Sequence, residues 1–171
     1  ATIEPLATSL HGVGLAEPAD GETIVIMGAG IIGLGALQLL KATANVKTIV
    51  VDLSDNRLAL AGRLGADVTI NASREDAVAR IFDVTGSSEL SLVPGVTRGN
   101  VDAVIDCAGV PKTFTGQAVL EQALSLVKQG GRVVVVAVFE RPVELEMNVI
   151  MRKGIRLLGS WAWLPDEFRQ G

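Results

Sequence analysis

Tyrosine is absent from the sequence, and cysteine and histidine occur once each, as Cys107 and His11. One cysteine permits no intrachain disulfide and no thiolate metal cluster within the chain. Such sparing use of cysteine fits a reducing compartment, and a cytoplasmic location is expected. No apolar run approaches the roughly 20 residues needed to cross a bilayer, and no signal peptide is recognisable. Neither sign of charge is in large excess: the formal net charge is −4 and the basic residues are scattered. Nucleic acid and membrane surfaces are therefore not expected partners. The chain opens on Ala1 rather than Met, as expected of an excised or processed piece.

What is present is an apolar chain of ordinary domain size, with 49% hydrophobic and 20% charged residues in 171. That balance fits one globular domain with a full core. Short apolar runs alternate with helical patterns. Strands are expected at Thr23–Met27, Thr48–Asp52, Val68–Ile70, Val101–Cys107, Val133–Val138 and Ile155–Ser160. VVVVAV shows no polar alternation, as expected of a parallel strand covered on both faces. Helices are expected at about Pro5–Ala16, from Ile31 to about Ala42, after Ser54, after Ser73, at about Thr113–Lys128 and at Met147–Lys153. Ser54 suits a helix N-cap, Gly65 a position just past a helix end, and Ser73 with Asp76 resembles a capping box. The Gly- and Ser-rich stretch from Gly86 to Asn100, with Pro94, reads as a surface loop. The order β-α-β-α-β, repeated, implies a single-domain α/β fold: a Rossmann-type, doubly wound, six-stranded parallel sheet.

Gly28-Ala29-Gly30-Ile31-Ile32-Gly33 matches G-x-G-x-x-G between an expected strand and an expected helix. That context gives the pattern its meaning. Gly28 permits the tight turn, Gly30 lets backbone approach a pyrophosphate, and Gly33 lets helix and sheet pack closely. The helix N-terminus offers unpaired N–H groups and a positive dipole end to the phosphates. Asp52, followed by Leu53, ends the second strand, close to the spacing of about 20 residues expected for a ribose-binding acid. A carboxylate there accepts from ribose hydroxyls and repels a 2′-phosphate, so the expected cofactor is NAD rather than NADP. Arg57, one helical turn on, either lies over the adenine or is a solvated helix residue.

Several stretches, in order and covering essentially the whole chain, resemble the medium-chain zinc-containing alcohol dehydrogenases, most of all the sorbitol and butanediol dehydrogenase branch. They are Glu4-Pro5-Leu6 with His11, VIMGAGIIGLGALQLLKA, VVDLSDNRLALAGRLGAD, VDAVIDCAG, GGRVVVVAVF and KGIRLLGSW. The stretch around Ser87–Asn100 departs from the pattern as a local insertion. The resemblance implies a longer parent whose separate, zinc-binding catalytic domain precedes residues 1–171. In that parent a zinc-bound secondary alcohol or polyol would pass a hydride to NAD. The cofactor domain alone would turn nothing over, and no catalytic residue is assigned within it. Zinc is expected in the full-length parent only.

The resemblance further implies that Glu4 sits beside the catalytic zinc, the alternative being an exposed residue near a terminus. It places three strand-end segments along the cofactor: Cys107, Ala108 and Gly109 on the adenosine side, Ala137, Val138 and Phe139 at the nicotinamide amide, and Ser160 and Trp161 at its ring. Cys107 also reads as a small buried hydrophobe, and Trp161 with Trp163 as packing groups. A homodimer is expected through the Ile155–Ser160 edge strand, since an exposed apolar edge invites pairing.

Other classes compete. A non-enzymatic NAD-binding regulatory module would carry the same turn, and its gene would fuse it to a channel or transcription factor. Short-chain dehydrogenases need a catalytic tyrosine, which is missing. A methyltransferase shares a glycine turn after its first strand, but the sixth strand and the GAGIIG form favour a dinucleotide.

Overall fold

The computed structural model describes residues 3–90, 93–110, 112 and 118–163. The chain forms α1 (Ile3–Ala16), β1 (Thr23–Met27), α2 (Ile31–Thr43), β2 (Lys47–Asp52), α3 (Asp55–Arg63), β3 (Val68–Asn71) and α4 (Ala77–Thr85). There follow β4 (Ser87–Leu90), β5 (Val93–Gly99), β6 (Val101–Asp106), α5 (Val119–Leu126), β7 (Val127–Val135), α6 (Met147–Lys153) and β8 (Arg156–Gly159). Six strands make one sheet in the order β3-β2-β1-β6-β7-β8, every pair parallel. The chain walks outward from β1 to β3, then returns to the other side of β1 and walks outward again. The α/β, six-stranded parallel, Rossmann-like architecture is therefore the one the sequence implies.

Alternate residues of β1 explain why helices cover both faces. Ile24 and Ile26 point into a core shared with Val13 of α1, Leu37 and Leu40 of α2, and Leu58 and Ala61 of α3. Val25 and Met27 point into the opposite core, with Ile81 of α4, Leu120 and Leu124 of α5, and Ile155. With side chains alternating across the strand, a strand apolar at every position is stable only when both of its faces are covered. β1 meets that condition: all of it after Thr23 is buried.

Three local expectations change. The segment expected as a loop from Gly86 to Asn100 contains an antiparallel pair, β4 with β5; its Gly and Ser content masks the strand period. The capping box at Ser73 is not used. α4 starts at Ala77, and Asp76 is its N-cap, accepting from Ala79 N at 3.0 Å. Ser73 instead joins a turn at Asn71, its hydroxyl donating to Asn71 Oδ1 at 2.6 Å. The helix expected to reach Lys128 ends at Leu126, and Val127 already pairs with Val101 before the register shifts to Ala103 beside Arg132. The expected start of that helix, Thr113 to Gln117, lies outside the described residues. Among the described residues no helix is long and apolar enough to cross a membrane.

Candidate functional site

β1 ends at Met27, and the chain turns at once into α2. Gly28 donates its N–H to Val51 O at 2.7 Å and has φ +97°, a backbone region that side chains disfavour. A Cβ on Gly28 would also lie 3.0 Å from Ala108 N. Gly33 is forced by contact: a Cβ there would sit 1.9 Å from Gly28 O. Gly30 differs from both. It is the N-cap of α2, with extended backbone, and nothing lies within 4 Å of where its Cβ would be. No side chain caps α2, and none caps α3 or α5, whereas the caps of α4 and α6 are filled by Asp76 and Glu146. At α2 the cap is a glycine with open space where its Cβ would stand, which leaves room for an anion before the first-turn N–H groups. Ala29 is buried beneath this turn, Ile32 is half-buried, and Ile31 is exposed at its rim.

Asp52, at the end of β2, reaches across to the same turn. Its Oδ2 accepts from Ala29 N at 2.7 Å and its Oδ1 from Ser54 N at 2.9 Å. The side chain is only 7% exposed, and the Arg57 guanidinium, 60% exposed, approaches Oδ2 at 3.7 Å. The carboxylate thus pins the glycine turn to the start of α3. An ionised carboxylate has about four acceptor positions, so capacity remains beside these two amides. Leu53 is exposed next to it.

On the other side of β1, Asp106 ends β6 and is fully buried. Its Oδ1 accepts from Ala108 N at 3.0 Å and Gly109 N at 3.2 Å. Its backbone carbonyl accepts from Val136 N at 2.9 Å and Ala137 N at 3.0 Å. Burial pushes the Asp106 carboxyl above the usual range, against the pull of the two amides. Gly109 has φ +65°, and a Cβ there would lie 2.3 Å from Val138 O. The strand-end segments 107–109 and 137–139 are thereby brought together, and Val110 forms a parallel bridge with Phe139. Sequence reasoning passed over Asp106, although an acid at the end of a mostly apolar strand, three residues before a glycine, was its signal. Burial, and then the charge of Asp106, push the Cys107 thiol up to about 12, so it is held as the unreactive thiol.

Ser160 follows β8, donates its N–H to Val135 O at 2.8 Å and is buried. Val138 and Trp161 are exposed, Trp161 at 84%. The structure gathers the expected residues Gly28–Gly33, Asp52, Cys107–Gly109, Ala137–Phe139 and Ser160–Trp161 at the carboxyl ends of the strands, where ligands of such sheets bind.

Helix α1 leans over the same end. The Ser9 hydroxyl lies 2.9 Å from Ile32 O in the first turn of α2 and 2.8 Å from Pro5 O. Gly12 packs on Val136 and Ser160, past the ends of β7 and β8. The other end of the helix is at the opposite side of the sheet, where Glu17 pairs with Arg156 at the start of β8. α1 therefore runs antiparallel to the strands, and Glu4 projects beyond Ser9 by about 7 Å of helix. Glu4 is exposed and accepts from Thr8 Oγ1 at 3.1 Å. Among the described residues, no group of three or more His, Cys, Asp or Glu could share a metal ion.

Comparison with known proteins agrees with this geometry. A family model described as zinc-binding dehydrogenase matches residues 32–171. The L-threonine 3-dehydrogenase of Bacillus velezensis is 32% identical over 157 residues, covering 91% of this chain and 40% of that protein. Among solved structures, a protein from Sinorhizobium meliloti assigned as a zinc-binding dehydrogenase and bound to NADP superposes with a TM-score of 0.78. It is 34% identical, and the match covers 98% of this chain and 45% of that one. The 2R,3R-butanediol dehydrogenase of Bacillus subtilis gives a TM-score of 0.79 at 28% identity, covering 98% and 44%. The chain thus spans less than half the length of these relatives.

Proposed function

The chain belongs to the zinc-binding dehydrogenase family and carries its NAD(P)-binding domain, and on that premise we propose that it serves a zinc-dependent alcohol or polyol dehydrogenase and holds NAD in preference to NADP. The observation that carries the reading is the uncapped start of α2, left open at Gly30 and flanked by Asp52. The amides of that turn supply charge-assisted hydrogen bonds to the pyrophosphate. Asp52 offers its remaining acceptor positions to the ribose diol and sets its negative charge against a 2′-phosphate. Arg57 offsets part of that charge, so the preference for NAD is finite. When bound, the nicotinamide supplies the hydride-accepting carbon, and the segments 137–139 and 160–161 line the side on which it lies.

The described residues do not make a zinc site by themselves. Glu4 is one hard oxygen donor, placed where α1 overhangs the cleft. It joins ligands from outside this chain at the metal of the whole enzyme. The chain alone oxidises no alcohol. It pairs with a second copy through β8, one of the two edges of the sheet, where Leu157 is exposed.

Isothermal titration calorimetry with the four nicotinamide dinucleotides tests the cofactor assignment. NAD(H) is expected to bind more tightly than NADP(H), and equal affinities would refute the role given to Asp52. Measurable alcohol oxidation by the pure chain would refute the division of labour.

A further inference from the structure

The hairpin of β4 and β5 has no task in binding a dinucleotide. It falls in the stretch expected as a local insertion, and it stands where β6 and β7 begin, at the end of the sheet opposite the cleft. Gly99 brings the foot of the hairpin hard against the end of α5, where a Cβ would lie 1.9 Å from Leu126 O. Beside that foot β7 bulges. Val127 pairs with Val101 and Arg132 with Ala103, so Lys128 to Gly131 all stand opposite the single residue Asp102. A bulge of this kind re-aims side chains that a regular strand would hold in the pleat.

A cavity of about 390 Å³ lies between hairpin and bulge, walled by Ser87, Ser88, Arg98, Asn100, Lys128 and Gln129. Its volume is at the low end of small-molecule sites (~300–1,000 Å³). Among the described residues no acid lines it. Its walls hold more donors than the chain uses. Arg98 is half-buried and is the cross-strand partner of Ser88. Its Nε donates to Ser88 Oγ at 2.8 Å and its Nη1 to Gln129 Oε1 at 3.4 Å, which leaves most of the guanidinium N–H groups unspent. Lys128 donates to Asp102 Oδ1 and Asn100 to Thr85 O at 3.2 Å, and each keeps further N–H groups.

Cations at this end of such a sheet ordinarily serve the negative ends of helices, and α4 and α5 both finish here. Those ends are already served. Lys153 donates to Leu124 O and Ser125 O of α5, and Lys47 donates to Val84 O of α4 at 3.3 Å. Asp102 is matched by Lys128 and by the amide of Thr23. Arg98 is left as the surplus charge: among the described residues it meets only the neutral groups of Ser88 and Gln129.

We propose that this cavity is a second ligand site, which takes the phosphate or carboxylate group of a small molecule. Arg98 anchors the group, since the planar guanidinium fork matches two oxygens of either anion, and Lys128 and Asn100 supply further donors. The site does not rest on the cofactor reading, because none of its residues belongs to the cleft.

The test is a titration of isotope-labelled wild type with inorganic phosphate and, separately, with succinate, followed by NMR at constant ionic strength so that general screening does not change. Saturable shifts are expected at the amides of Ser88, Gly99 and Gln129 and at Arg98 Nε, and the anion that binds more tightly names the group the site takes. Arg98→Gln is expected to weaken that anion by about tenfold or more, the loss of a hydrogen bond from a charged donor. Arg63→Gln, an exposed arginine on α3, is expected to leave it unchanged. Shifts that do not saturate, equal losses in the two variants, or an Arg98→Gln variant that binds like wild type would each overturn the proposal. If Arg98→Gln has no thermal transition, wild type decides alone: saturable shifts confined to residues 86–88, 98–100 and 128–129 support the site, and their absence there overturns it.

Discussion

Two glycines of one turn, three residues apart, should fail in opposite ways when replaced by alanine. At Gly33 the new methyl would meet Gly28 O at 1.9 Å, a backbone atom that cannot rotate aside. Ordinary contact requires about 3.4 Å or more, so α2 and the turn must separate by more than 1 Å. Forced overpacking of this kind costs about 1–3 kcal/mol, which lowers the melting temperature of a chain this size by about 2–12 °C. At Gly30 the methyl meets nothing within 4 Å and the backbone is already extended. The lost N-cap preference (~0.5–1 kcal/mol) and the reduced unfolded-state entropy (~0.4–1 kcal/mol) offset each other. Stability should therefore move by no more than about 0.5 kcal/mol. The methyl nevertheless stands in the space before the first-turn amides. A hydrogen bond to a charged group is worth about 1.5–3 kcal/mol, so losing one weakens the dinucleotide by about tenfold to a hundredfold. Differential scanning fluorimetry and an NADH titration on the two variants measure both quantities. Gly30→Ala binding NADH like wild type would refute the placement of the pyrophosphate. Gly33→Ala melting like wild type would refute the packing argument.

Further outcomes follow from other contacts. Lys153 is fully buried, its Nζ donating to Leu124 O at 2.6 Å and Ser125 O at 3.0 Å, and burial lowers its pKa to about 8. The unfolded chain then binds more protons between about pH 8 and 10.5, so wild-type stability should rise with pH through that window, by at most about 3 kcal/mol. Urea unfolding of wild type and Lys153→Met across that range checks the sign, and a wild-type-minus-variant difference that stays flat would defeat it. Gly35→Ala places a Cβ 2.6 Å from Ser9 Oγ. It should loosen α1 from α2 and cost about 1–3 kcal/mol, and Ser9→Ala in the same chain should recover part of the loss in chemical denaturation. Leu157→Lys, on the exposed edge of β8, should shift sedimentation equilibrium toward monomer. A wild type that is already monomeric at high concentration would end the edge-pairing proposal.

The parts of the fold legible in the sequence are those whose causes are local. β1 is apolar at every position after Thr23 because helices cover both faces, and that shows as an unbroken run. The glycine turn shows because each glycine answers a backbone demand at fixed spacing. Asp52 shows because its distance from the turn is set by one crossover. What stayed hidden depends on contacts distant in sequence. The β4–β5 pair lies in a stretch whose glycines and serines read as loop, and pairing between strands, not side-chain periodicity, makes it a hairpin. The true cap of α4, Asp76, competed with Ser73 three residues earlier, and only the turn at Asn71 decides between them. Lys153 reads as an ordinary basic residue of a helix end, yet it reaches the final carbonyls of α5, far earlier in the chain. Asp106 reads as a strand terminus, and its importance lies in amides drawn from two separate segments.

The carboxylates at the ends of β2 and β6 also bear on rates. Each holds its loops by hydrogen bonds within the chain, so the cleft has its shape before any ligand arrives. A dinucleotide meeting such walls has little chain to order, and association need not wait on folding of a lid. Differences in affinity among dinucleotides and among variants of these walls should then reside in how long each stays, not in how quickly it arrives.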